Sequence, residues 1–103
     1  MSYSENTIID KNMILTLEFE RYVLEHPEIL DEIPNGAEVI LLPKDDPELY
    51  RINLGAAGAS RENDDVPDRP IVYIEMDGLA PPRSRVVNPR VLTRPPTSES
   101  VAA

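Results

Sequence analysis

Lys44, Asp45 and Asp46 stand directly after one short apolar run, and Glu75 and Asp77 close a second. Carboxylates gathered at the carboxyl ends of two neighbouring strands would offer oxygen ligands to a hard cation such as Mg²⁺, at the place where open α/β sheets hold their ligands. Asp45, Asp46, Glu75 and Asp77 are therefore the candidate metal set, in a metal- or phosphate-ligand-binding minimal enzyme. Each has a plainer use. Asp46 precedes Pro47 and Glu48, which suits a helix cap; Lys44 offsets local negative charge; acids at strand ends are commonly just solvated. His26 is the only histidine. A general base needs a nucleophile and an orienting group beside it, and no motif supplies them. Cysteine is absent, which removes thiolate ligands, disulfides and cysteine nucleophiles together. The run Gly55-Ala-Ala-Gly58-Ala-Ser60 has the composition of a phosphate loop but falls late in a predicted helix, where such a loop would open one. Its small residues are expected to let that helix pack closely on the first. The balance is against an enzyme, and no cofactor is expected.

The other conspicuous set is basic. Arg83, Arg85, Arg90 and Arg94 are interleaved with Val86, Val87, Val91 and Leu92. Residues 1–79 carry a net charge of −12 and residues 80–103 a net +3, within a chain of 103 residues and net −9. Five of the eleven prolines, Pro81, Pro82, Pro89, Pro95 and Pro96, lie in the basic part. Proline lacks an amide donor and fixes φ, so this part is predicted to be an extended tail. Arg83, Arg85, Val86, Val87, Arg90 and Arg94 are the candidate partner-binding residues. The partner is a protein surface or a second copy of the chain, met by strand addition or in the extended proline-rich mode. Duplex nucleic acid is a poor partner, because the field of a −12 body repels phosphate. The plainer reading is a tail that lies on its own acidic body or extends into solvent.

These residues depend on a small set of elements. Residues 6–26 read as a helix, with Ile8, Leu15, Phe19, Tyr22 and Val23 on one stripe. Met13, Leu17 and Leu24 form a second stripe nearly opposite. One core needs only one stripe, so the second predicts a homodimer interface. Pro27 ends the helix and opens one or two further helical turns. Pro34-Asn35-Gly36 signals a turn. Residues 37–42 read as a buried strand, 47–61 as a helix packed through Leu49, Ile52, Ala56 and Ala59, residues 63–69 as a polar loop, and 69–75 as a second strand.

The predicted fold class is α/β: a small α-α-β-α-β domain over 1–79 with one βαβ unit, and an extended basic proline-rich tail over 80–103. Parallel strands joined by a helix follow from the order. Two parallel strands have open edges that invite pairing. Val86-Val87, Val91-Leu92 or a second subunit is expected to complete the sheet. No apolar run is long enough to span a membrane, and residues 1–10 lack the pattern of a secretory leader.

Several stretches together are familiar. They are Glu25-His26-Pro27-Glu28, Ile33-Pro34-Asn35-Gly36-Ala37, Leu41-Leu42-Pro43-Lys44-Asp45-Asp46-Pro47-Glu48-Leu49, Pro70-Ile71-Val72-Tyr73 and Pro81-Pro82-Arg83-Ser84-Arg85. With the spacing of Lys11-Asn12, Glu18-Phe19 and Arg21-Tyr22, the chain resembles a family of short prokaryotic proteins known only as a domain of unknown function. The resemblance covers most of the chain and leaves out the last dozen residues. It implies a prokaryotic, cytoplasmic protein and brings no activity, cofactor or catalytic residue. The closing Val101-Ala102-Ala103 is similar to the two-alanine ending of the tag bacteria add to stalled translation products.

Overall fold

The computed structural model describes residues 2–62, 65–66 and 68–97. The first helix, α1, spans Glu5–Glu25. It starts just before the apolar pattern does, because the Ser4 hydroxyl accepts the Thr7 N–H at 3.2 Å. That bond satisfies a donor the first turn would otherwise leave unpaired. At the other end the His26 N–H still bonds Tyr22 O at 2.8 Å, and Pro27 turns the chain into a 3-10 helix, Pro27–Glu32. A turn closed by Ala37 N–H to Pro34 O follows, with Gly36 at φ +77°, a left-handed conformation natural to glycine.

Strand β1 spans Glu38–Pro43, helix α2 Pro47–Glu62, and strand β2 Ile71–Met76. The strands pair in parallel, in register from Glu38↔Ile71 to Pro43↔Met76. The predicted strand–helix–strand unit is present, within one or two residues at each boundary. Arg69 ties the approach to β2 to the turn before β1 by donating to Gly36 O at 3.1 Å.

The interior is small. Among the described residues Leu15, Leu42, Leu49 and Ala57 are the buried hydrophobics, joined by Pro43 and Asn53. Most of α1's expected inner stripe is half-buried at Ile8, Phe19 and Val23, whereas Tyr22 is exposed. Met13, Leu17 and Leu24 are all exposed.

Four expectations need correction. β1 is buried only at Leu42 and Pro43 and half-buried before them, because two strands and their helices cover it only in part. The buried face of α2 runs through Leu49, Asn53 and Ala57, with Ile52 half-buried and Ala56 and Ala59 exposed. The face lies a fraction of a turn from the one that apolar residues alone mark, because the buried amide of Asn53 belongs to it. Gly55 and Gly58 do not serve close packing, since a Cβ on either would meet nothing within 4 Å. The tail adds no strand: Val86, Val87, Val91 and Leu92 are exposed, and among the described residues the sheet has two strands. The ending at 101–103, and Asn63, Asp64 and Pro67 of the polar loop, lie outside the described residues.

Candidate functional site

Asp46 is the most heavily engaged of the candidate acids. Its carboxylate accepts the Leu49 N–H at 3.3 Å, capping α2, the Tyr3 hydroxyl at 2.9 Å and Lys11 Nζ at 3.0 Å. Lys11 also lies over the Tyr3 ring, 4.8 Å from its centre, and the Tyr3 N–H donates to Glu48. Partial burial alone would raise the Asp46 pKa. The hydrogen bonds from Lys11, Tyr3 and the Leu49 N–H outweigh it and hold the carboxyl below its ordinary value. The same bonds raise Tyr3 and Lys11 above theirs. Asp46 thus fastens the start of the chain onto the start of α2.

Glu75 accepts the Tyr50 hydroxyl at 2.6 Å, and this bond raises Tyr50 above the usual phenol value. Asp45 lies against Gly78, where an added Cβ would come within 2.8 Å of Oδ2. Asp77 and Lys44 are exposed. Among the described residues no three or more histidines or acids are grouped so as to hold a metal ion. His26 stacks against Tyr22, with ring centres 4.4 Å apart, and its Nδ1 is 3.5 Å from Glu28.

One polar pair has no counterpart among the sequence-predicted residues. Asn53 donates to Asn12 Oδ1 at 2.9 Å and to Leu41 O at 2.8 Å, and Asn12 donates back at 3.1 Å. A single side chain so joins α1, α2 and β1. The signal in the sequence is the i, i+4, i+8 spacing of Leu49, Asn53 and Ala57 on α2.

The surface beside β2 is of another kind. Between the second half of α1 and the end of β2 runs a groove of about 760 Å³. Phe19, Tyr22, Ile29, Ile74 and Met76 give it apolar walls, each half-buried or exposed. Glu18, Glu25, Glu75 and Asp77 line it as well, against one arginine, Arg21, which is bound to Glu18 at 2.6 Å. Leu79 and Ala80 mark where the tail leaves. Beyond them Arg83, Arg85, Val86, Val87, Arg90 and Arg94 are exposed.

The far edge of β2 is open as well. Glu38 N–H bonds Pro70 O and Lys44 N–H bonds Met76 O. The parallel ladder therefore uses residues 70, 72, 74 and 76 of β2 and directs the backbone groups of Ile71, Tyr73 and Glu75 outward.

A long helix followed by a strand–helix–strand unit with parallel strands defines a small α/β domain. The model of a family of unknown function (DUF5647) matches residues 7–89, and the chain belongs to that family. The match takes in α1 from Thr7 onward, α2, both strands and the tail as far as Pro89. No curated protein and no solved structure matches the chain. No helix among the described residues is long and apolar enough to cross a membrane.

Proposed function

We propose that the chain is a non-enzymatic interaction module whose basic tail docks onto an acidic, partly apolar protein surface. The observation that carries this reading is the exposure of the tail's apolar residues: Val86 is 69% exposed, Val87 81% and Val91 94%. Scattered surface valines need no explanation, but four apolar side chains interleaved with four arginines on a segment outside helix and strand, bent at Asn88, make a recognition strip. The setting assumed is the cytoplasm of a prokaryotic cell. A metal- or phosphate-ligand site on Asp45, Asp46, Glu75 and Asp77 has less support, because Asp46 and Glu75 are engaged by Lys11, Tyr3 and Tyr50.

The test uses two full-length baits, the intact chain and one with Arg83, Arg85, Arg90 and Arg94 each changed to glutamate. Each is offered host extract and a tagged second copy. Salt-sensitive capture by the intact chain alone supports the reading. Identical captures by both baits contradict it.

A further inference from the structure

We infer that the tail's partner is a second copy of this chain, with residues 83–94 of each copy lying in the groove between α1 and the end of β2 of the other. This inference rests on the docking role proposed for the tail and names its receptor.

Charge and polarity match on the two surfaces. The groove has apolar walls from Phe19, Tyr22, Ile74 and Met76, and carries four acids against one arginine already held by Glu18. Among the described residues Glu25 and Asp77 have no cationic partner. The tail offers four arginines, with Val86, Val87, Val91 and Leu92 exposed between them. Beside the groove the open edge of β2 presents the backbone of Ile71, Tyr73 and Glu75, which an extended segment can pair with.

A tail could in principle fold back into its own groove. Pro81 and Pro82 oppose this. Ala80 and Pro81 each precede a proline, which keeps both out of the helical region a tight reversal would need. The tail is thus held off its own body just after Leu79 and Ala80 reach the groove's end.

The exposed area is of the right size. The chain exposes 8805 Å², about 3,000 Å² above the roughly 5,800 Å² expected of a compact monomer of its mass. Its radius of gyration is 19.9 Å, against about 13 Å for a compact domain of this length. Intimate homodimers bury roughly 1,000–2,500 Å² per copy, so two exchanged tails fit within the surplus. The α1 stripe of Ile9, Met13 and Leu17, each more than half exposed, gives the two bodies a further apolar surface to share.

A charge-swap complementation tests this on full-length chains. The tail variant carries Arg83→Glu, Arg85→Glu, Arg90→Glu and Arg94→Glu. The groove variant carries Glu25→Arg and Asp77→Arg, two exposed positions outside the hydrogen-bonded interior. Mass is read by light scattering after gel filtration, and folding by circular dichroism. The intact chain is expected to be a dimer that weakens as salt rises. Each variant alone should stay folded with its dimer weakened at least about tenfold, and an equimolar mixture should recover the dimer. Rescue on mixing requires a tail from one copy in the groove of another. A monomeric intact chain, or two folded variants whose mixture gives no dimer, overturns the inference. If the intact chain is monomeric but captures a different protein through its arginines, the docking role stands and only the second copy is refuted. If neither is captured, both fall.

Discussion

Leu49 and Leu24 are both leucines on helices of one small domain, yet the first is 2% exposed and the second 82%. Around Leu49 each polar group has a partner: Asp46 caps α2, Asn53 binds Asn12 and Leu41, and no buried side-chain nitrogen or oxygen among the described residues lacks a hydrogen bond. Around Leu24 and along the tail, apolar side chains face water, and the tail arginines Arg83, Arg85, Arg90 and Arg94 are exposed. The first region is a finished interior, and the second has the composition of an interior with half its atoms missing. The difference separates residues that hold the fold from residues that face water, and the docking role proposed above rests on the second group.

The sharpest contrast is between truncations in the two regions. Leu49→Ala should destabilise the chain by about 3 kcal/mol, the usual loss for a fully buried leucine. Val91→Ser in the tail should change stability by less than about 0.5 kcal/mol when the protein is dilute enough to be monomeric. Urea unfolding of both reads the ratio, and equal losses would erase the distinction.

Asn53→Ala comes next, at about 2 kcal/mol, because it leaves the half-buried Leu41 O and Asn12 amide with lost partners. The same unfolding measurement checks it.

Asp46→Ala should cost about 1 kcal/mol through loss of the α2 cap. It should also flatten the acid side of the stability profile. A carboxyl held below its ordinary pKa in the folded state contributes stability that is present above the unfolded value of about 3.9 and is lost as pH falls through the folded value. Unfolding at pH 7, 5 and 3 should show the intact chain losing more on acidification than the Asp46→Asn chain, in which the cap is kept and the charge removed.

The smallest effect has the opposite sign. Gly58→Ala should stabilise α2 by about 0.5–1 kcal/mol, since the position is helical and the added methyl meets nothing. A loss of stability there would show that the exposed face of α2 is already in contact with something in solution.

The backbone plan was legible because its signals are local. Asp46-Pro47-Glu48 starts α2 where a cap, a first-turn proline and an acid predict it, and Pro27 stops α1 as a proline must. Parallel pairing followed from the strand–helix–strand order alone. The bonds to Asp46 from Tyr3 and Lys11 reach across 43 and 35 residues, and no local pattern announces them. Periodicity weighs apolar residues and so misses Asn53, an amide buried by virtue of its partners. The stripe of Met13, Leu17 and Leu24 was visible as a surplus over what one core needs, and it is exposed here. The groove has no local signature, because Phe19 and Met76 line it together only in the folded chain.

The most direct test of the account is a photo-crosslink from Val87 in a full-length dimer assembled from equal parts of ¹⁴N- and ¹⁵N-labelled chains. The account predicts crosslinked peptides of mixed isotope joining Val87 to residues 18–29 or 74–80. Crosslinks confined to single-isotope peptides within one chain, or none to those segments, would contradict it.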